Sequence, residues 1–228
     1  MSLVSNLFLL FVAASILIYY IVPRKSQWIV LLIFSYLYYI AGGPRYVVFI
    51  LFSTLVTWLM ALLIEKAEGK ENHKGARKLL ILGLILNFGM LGIVKYTNFA
   101  VENINALLHL NLRGIQLLLP LGISFYTFQS SGYLLDVYWK RCKAERHPLK
   151  YALFVSFFPQ ILQGPIGRYS RLADQLYAEH RFEGNNIIRG FERILWGFFK
   201  KMILADWAAV FADAIFEDPA KYNGVALL

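Results

Sequence analysis

The chain has 228 residues, 58% of them hydrophobic and 16% charged, with a mean hydropathy of +0.54 and a formal net charge of +9. A soluble domain is about 45–50% apolar and about 25% charged, and here the apolar excess is gathered into long runs, so the class is a polytopic membrane protein and not a soluble globule. The basic balance does not make a nucleic-acid binder, because Lys and Arg sit between the apolar runs, where loop charges orient a membrane chain, and the single Cys142 allows no intrachain disulfide.

Met1 to Asn6 carries no positive charge ahead of its apolar run, a poor start for a cleaved signal, so the run is expected to stay as the first spanning helix. That helix is Leu7 to Val22, closed by Pro23, Arg24 and Lys25. Trp28 to Ala41 reads as a second span, stopping at Gly42-Gly43-Pro44. Tyr46 to Ile64 is a third, long enough for a full crossing at about 1.5 Å per residue. Glu65 to Lys78 is solvated. Leu79 to Val94 is a fourth span, with Gly83, Gly89 and Gly92 offering close helix approach. From Tyr96 to Arg113, Asn98, Glu102, Asn105 and His109 fall on one helical face opposite an apolar one, a pattern for a helix lying in the interface plane.

Ile115 to Leu135 is the next apolar run, and at about 100° per residue Ser124, Thr127 and Ser131 share one stripe while Gln129, Gly132 and Asp136 share another. A helix in contact only with lipid has no use for two polar stripes. Lys140 to Lys150 is a basic loop, and Tyr151 to Leu162 leads into Phe157-Phe158-Pro159-Gln160-Ile161-Leu162-Gln163-Gly164-Pro165-Ile166-Gly167-Arg168. No helix runs cleanly through that stretch, since proline removes a donor and clashes with the preceding turn. Irregular backbone survives at membrane depth only where protein buries it or where it lines a wet cavity. Tyr169 to Arg189 is polar, and Ile194 to Phe216 is apolar but broken by Lys200, Lys201, Asp206 and Asp213.

With the N-terminus outside, the inner loops collect Arg24 and Lys25, the basic residues between Lys66 and Lys78, and those between Lys140 and Lys150. The outer loops hold only Arg45, Lys95 and Arg113. If Tyr151 to Arg168 dips in and returns, the later arginines also fall inside, so the charge rule favours a re-entrant element. Asn223 to Leu228 reads as the entry to another apolar segment, and the chain is expected to be the N-terminal part of a longer protein.

The four histidines build no active site. His73 and His147 lie in charged loops, His109 is on a polar helix face and His180 follows Glu179 in a polar segment. No pair has metal-ligand spacing, no Gly-rich loop cradles phosphate and no serine sits in a nucleophile elbow. Polar residues inside apolar runs are costly and tend to be functional. Here they are Gln129, Asp136, Gln160, Gln163, Arg168, Lys200, Lys201 and Asp206, each with a plain alternative as inter-helix glue.

Pro120-Leu121-Gly122-Ile123-Ser124-Phe125-Tyr126-Thr127-Phe128-Gln129, running on to Tyr133 and Asp136-Val137-Tyr138, resembles the signature of the membrane-bound O-acyltransferases. The branch is the bacterial one of alginate O-acetylase and the D-alanyl transfer protein of teichoic acid. Phe157-Phe158-Pro159-Gln160 with Gly164-Pro165-Ile166 and Arg168 resembles that branch's second block, and Gly197-Phe198-Phe199-Lys200-Lys201 with Ala205-Asp206 a third. The resemblance implies an all-α polytopic helical bundle with interfacial and re-entrant helices around a tunnel. Residues 1–95 would form the N-terminal spans, 96–113 the interfacial helix and 114–228 the start of the acyltransferase core, in one membrane domain. It further implies an acetyl or other small acyl group passing from a cytoplasmic-side thioester to hydroxyls of an exopolysaccharide or cell-wall polymer. The donor would be acetyl-CoA or an acyl carrier protein, consumed as a co-substrate with no cofactor bound, and an extracytoplasmic partner protein would complete the transfer. The family's catalytic histidine would lie beyond Leu228, leaving these residues inactive alone. Ser124, Gln129, Asp136, Pro159, Gln160, Gly164, Pro165 and Arg168 would line the path, with Lys200 and Lys201 as fixed cations for a phosphate-bearing donor. The setting would be a bacterial cytoplasmic membrane with the N-terminus extracytoplasmic. The rivals are a transporter or flippase, and a non-catalytic scaffold of a polymer-export complex.

Overall fold

The computed structural model describes residues 6–108, 120–161 and 166–217, and every regular element among them is helical. The predicted residues His109 to Leu119, Gly164, Pro165 and Asn223 to Leu228 lie outside the described ones. The chain forms two compact units, Met1–His180 and Arg181–Leu228.

The first unit begins with α1 (Asn6–Ile21) and α2 (Gln27–Gly42), each of 16 residues and so about 24 Å long. α2 stops because Gly43 takes φ +145°, which a side-chain-bearing residue rarely adopts, and Pro44 follows. α3 (Val47–Glu68) and α4 (His73–Leu108) come next. The stretches Pro44–Glu68 and His73–Leu107, with mean hydropathy 2.6 and 2.0, are long and apolar enough to cross a membrane. α5 (Ile123–Tyr138), α6 (Pro148–Ser156) and α7 (Tyr169–Tyr177) complete the unit. α3 is the hub, packed against α4, α5 and α6, while α2 packs on α1 and α6.

The polarity of these helices is inverted relative to a soluble bundle. Leu10, Leu17, Val48, Ile85 and Ile93 face outward and exposed, while the α3–α4 seam buries a polar chain. Ser53 Oγ donates to Asn87 Oδ1 (2.6 Å), and Asn87 Nδ2 donates to Thr57 Oγ1 and the Gly83 carbonyl, both at 3.0 Å. An outside of aliphatic side chains around a hydrogen-bonded seam is what hydrocarbon solvent selects. Of the three glycines expected to allow close helix approach, one does: a Cβ at Gly83 would stand 2.8 Å from Leu134 Cδ1, whereas at Gly89 and Gly92 it would meet nothing within 4 Å.

Two expected boundaries move. The helix expected to lie in the interface from Tyr96 onward is instead continuous with the preceding span through Leu108, and its 36 residues reach about 54 Å. The apolar run expected as one helix from Ile115 starts its described helix only at Ile123, because Gly122 sits in the left-handed region at φ +68°.

One end of the bundle gathers the basic loops. Glu65 and Glu68, ending α3, pair with Arg146 and Lys140 of the α5–α6 loop. Trp28, starting α2, packs its ring edge on His147 at 5.5 Å. Gln27 and the backbone of His180 exchange two bonds (2.9 and 3.0 Å), and Tyr19 hydrogen-bonds His180 Nδ1 at 2.8 Å.

The second unit is α8 (Gly184–Phe199), a π-helical segment (Lys200–Ala205) and α9 (Asp206–Glu217). Its apolar side chains, Phe191, Trp196, Trp207 and Phe211 among them, are exposed.

Candidate functional site

The structure builds a broken-helix hairpin from the residues around Phe157. α6 has nine residues and so extends about 13 Å, under half of a hydrocarbon core of about 30 Å. It ends at Phe157 (ψ +107°), where a tight turn follows: Gln160 and Ile161 both donate their N–H to the Phe157 carbonyl at 3.0 and 3.1 Å. The chain then comes back to the end it left. Tyr169 Oη donates to Glu145 Oε2 at 2.6 Å, and Tyr177 Oη to the Lys150 carbonyl at 2.6 Å, so α7 is tied to the loop from which α6 departed and to the first turn of α6. The Tyr169 ring also packs on Tyr133 (4.8 Å) and Phe154 (5.0 Å).

Glu145 is the knot of that tie. Its N–H donates to Tyr133 Oη (2.8 Å), its carbonyl accepts Trp58 Nε1–H (2.9 Å), and its carboxylate takes His147 N–H (2.8 Å) besides Tyr169. Burial, then the neighbouring Tyr177 and Glu145, push the Tyr169 hydroxyl well above the usual tyrosine range, so it stays a neutral donor. Nearby, burial followed by the charges of Asp136 and Glu65 raises the Cys142 thiol to about 11. It is a half-buried, protonated loop thiol with little nucleophilic character.

The tip of the hairpin is held from three sides. Phe158 N–H donates to Ser35 Oγ at 3.2 Å, eight residues into α2 from Gln27 and so about 12 Å along it. Phe158 also sits among Phe8, Phe11 and Tyr38, with ring centroids 5.3–6.5 Å away. Gly122 approaches closest of all: a Cβ there would fall 2.3 Å from the Ile161 carbonyl oxygen. The Pro120-Leu121-Gly122 motif and the Phe157 block, separate in sequence, are thus one contact.

Of the expected path residues, Gln129 is buried and donates Nε2–H to the Phe154 carbonyl at 3.0 Å. That carbonyl lies in the last turn of α6, where no intrahelical donor remains. Gln129 therefore satisfies a broken helix end at depth. Ser124 is half-buried on the same helix, and the hydroxyls of Thr127 and Ser131 on its inner face have no hydrogen-bond partner among the described residues. Pro159 is exposed at the tip, and Gln160 is half-buried against Gly167, where a Cβ would come within 2.5 Å of Gln160 Nε2. Arg168 is exposed and starts α7, its carbonyl accepting from Arg171 and Leu172 at 3.1 Å.

Within the first unit, Asp136 is not at the tip. Asp136 lies 13 residues beyond Ile123 and so about 20 Å along α5, at the basic-loop end, 3.6 Å from Arg141 Nη1. Lys200 and Lys201 belong to the second unit and have partners on their own helix. Lys200 Nζ stands 5.3 Å over the Trp196 ring, and Lys201 pairs with Asp206, five residues on in the π register. His73 pairs with Glu68, His147 packs on Trp28 and His180 is tied to Tyr19 and Gln27. Among the described residues no group of three or more potential metal ligands occurs. Sequence reasoning missed Ser35, Asn87 and Glu145. An Asn inside a spanning run is a signal that could have found Asn87, whereas nothing in the sequence marks Ser35 or Glu145.

Comparison with known proteins supplies relatives for this hairpin-bearing bundle. The chain is 34% identical to a probable alginate O-acetylase of Pseudomonas syringae pv. tomato, over 93% of this chain and 41% of the relative. It is likewise 34% identical to a probable alginate O-acetylase of Pseudomonas aeruginosa, over the same shares. A peptidoglycan O-acetyltransferase of Helicobacter pylori is 33% identical over 83% of this chain and 40% of the relative. The chain thus spans about two fifths of the length of these relatives, 40–41%. No family model matches it, and no solved structure does.

Proposed function

Because this chain is homologous to the O-acetyltransferases of alginate and peptidoglycan, proteins of the membrane-bound O-acyltransferase type, we propose that it serves transfer of a small acyl group to hydroxyls of an exopolysaccharide or cell-wall polymer. The observation that carries the proposal is similarity along 93% of the chain to proteins named for O-acetylation. The acyl group is acetyl and the donor a thioester, acetyl-CoA or an acylated carrier protein, reaching the membrane from the basic-loop side. The bacterial cytoplasmic membrane is the setting, with the N-terminus on the opposite, extracytoplasmic side, where a separate protein completes or directs transfer.

The hairpin gives this reading a physical basis. A thioester and a polar acceptor need a path through hydrocarbon, and re-entrant backbone is tolerated where it lines one. The tip at Phe157–Ile161, about 12 Å along α2, shortens the barrier from the basic side to roughly half a bilayer. Gln129, Ser124, Gln160 and the α5 hydroxyls left without a partner among the described residues give that neighbourhood hydrogen-bonding groups, and Arg168 begins its return at α7. The role of these residues is to hold the path open and wet. General-base activation of the acceptor hydroxyl falls to a group other than His73, His147 and His180, each of which is occupied by a neighbour away from the tip. Lys200, which meets an indole face and no carboxylate among the described residues, is the better of the two lysines to meet a donor phosphate.

The test is genetic and chemical. Deleting the gene removes ester-linked acetate from the extracellular polysaccharide or peptidoglycan while polymer yield is maintained, and the wild-type gene restores it. Unchanged ester content in both polymers refutes the reading, and loss of the polymer itself points to a transporter or an export scaffold.

A further inference from the structure

α2 and α3 barely touch each other; both rest on α6, and because α6 is short the space above it is left as a groove. Its volume is about 480 Å³, within the roughly 300–1,000 Å³ of sites that take small molecules. Leu32, Ile33, Leu37 and Ile40 form the α2 wall, Leu51 and Leu55 the α3 wall, with Ala152 in the floor. From Leu32 to Ile40 the apolar wall runs about 12 Å, close to the depth of one leaflet of a core about 30 Å thick.

The groove reaches the basic-loop end, where Trp58, Pro148 and Leu149 line it and Trp28 lies beside His147. Tryptophans mark the membrane–water interface. Three carboxylates of that end are engaged: Glu65 by Arg146 and the Ala144 N–H, Glu68 by His73 and Lys140, Glu145 by Tyr169 and the His147 N–H. Lys25, exposed ahead of α2, and Lys150, on the first turn of α6 above the Tyr177 ring, put two cations at the same end. An apolar slot of one leaflet's depth under a cationic rim is complementary to one kind of amphiphile.

We propose that the α2–α3 groove binds an acyl chain of an anionic phospholipid from the leaflet on the basic-loop side, its headgroup held at the rim by Lys25, His147 and Lys150. The lipid fills the space between α2 and α3 and so fixes how both sit on α6 and hence on the hairpin. The assignment rests on the membrane placement of the chain and is independent of the acyl-transfer reading.

The experiment reconstitutes the intact protein into phosphatidylcholine vesicles carrying a phosphatidylglycerol with a diazirine in its acyl chain, irradiates them and maps adducts by mass spectrometry. Adducts are expected to concentrate on residues 33–40 and 51–58. They are lost in Leu55→Trp, which fills the groove, while label on the outward face of α4 at Ile85 and Ile93 is unchanged. Ile33→Trp, on the opposite wall, repeats the loss should Leu55→Trp fold poorly. Lys25→Gln and Lys150→Gln lower the preference for phosphatidylglycerol over phosphatidylcholine about five-fold each, the effect of one cation at an anionic surface. Even labelling of groove and α4, insensitive to Leu55→Trp, overturns the proposal. So does a groove shielded from label while α4 reacts, since a protein segment then covers it. A protein in which α4 also escapes label overturns the membrane placement together with the groove.

Discussion

Gly122→Ala places a methyl group where the structure has no room for one. At φ +68° a side-chain-bearing residue costs roughly 1–2 kcal/mol relative to a right-handed conformation. The new Cβ would lie 2.3 Å from the Ile161 carbonyl oxygen and 3.0 Å from Ile161 Cγ1. A backbone oxygen cannot swing aside as a side-chain terminus can, so the turn at the hairpin tip must shift, an overpacking cost of about 1–3 kcal/mol. The two terms together come to about 2–5 kcal/mol, which for a chain of this size lowers the thermal midpoint by about 4–20 °C. The assay is thermal unfolding of the purified protein in detergent, followed by tryptophan fluorescence. Ester-linked acetate in cells carrying the variant is the second readout, and it is expected to fall because the tip is displaced. Gly89→Ala is the control: nothing lies within 4 Å of its added Cβ, and in mid-helix alanine is favoured by about 0.5–1 kcal/mol. If Gly122→Ala unfolds at the same temperature as Gly89→Ala, the contact between the two motif blocks does not exist as described.

Three further outcomes are expected. Gln129→Leu leaves the Phe154 carbonyl without its donor at membrane depth, and unfolding measurements should show a loss of about 1–3 kcal/mol. Asn87→Leu keeps the volume but strands the Ser53 and Thr57 hydroxyls, lowering stability by about 0.6–2 kcal/mol, the range for interhelical hydrogen bonds in membranes. The Cys142 thiol, raised to about 11 from the ordinary value of 9.0, is protonated more firmly in the folded than in the unfolded chain. Its stabilising contribution is therefore complete below pH 9.0 and lost as pH rises through about 11. Maleimide labelling of the folded protein should be slow at neutral pH and climb about ten-fold per pH unit up to that range; rapid labelling at neutral pH would show that the thiol is not held in its loop.

The elements that the sequence makes legible are those where composition forces a backbone event. Gly42-Gly43-Pro44 ends α2 because Gly43 takes a conformation other residues avoid, and α6 ends at Phe157, just ahead of Pro159, because proline cannot continue an apolar helix. The basic runs place Lys25, Arg146 and His147 at one end before any contact is known, since loop charge and loop side are coupled. What fails is inference from helical period alone. Asn98, Glu102 and Asn105 share a face whether a helix lies in the interface or projects out of the membrane, so the pattern could not reveal that α4 continues to Leu108. Glycines spaced for close packing look alike, yet only Gly83 of the three meets a neighbour. At the hairpin, Gln129 stands out as a costly amide in an apolar run, but its partner is a carbonyl orphaned by the end of α6, and that pairing exists only once both helices are in place. Glu145 carries no local signal at all: its four hydrogen bonds reach residues from Trp58 to Tyr169.

The most direct test is of the hairpin's return to its own side of the membrane. In a Cys142→Ser background, Gln175→Cys on α7 and Lys143→Cys in the α5–α6 loop are labelled with a membrane-impermeant maleimide in right-side-out cells and in inverted vesicles. Both cysteines should be blocked in cells and reactive in inverted vesicles, because Tyr169 and Tyr177 bind α7 to the loop that precedes α6 and to the first turn of α6. Labelling of residue 175 from outside the cell, with residue 143 still confined to the inner face, would show that the segment crosses the membrane and would contradict the acyl-transfer path built on its return.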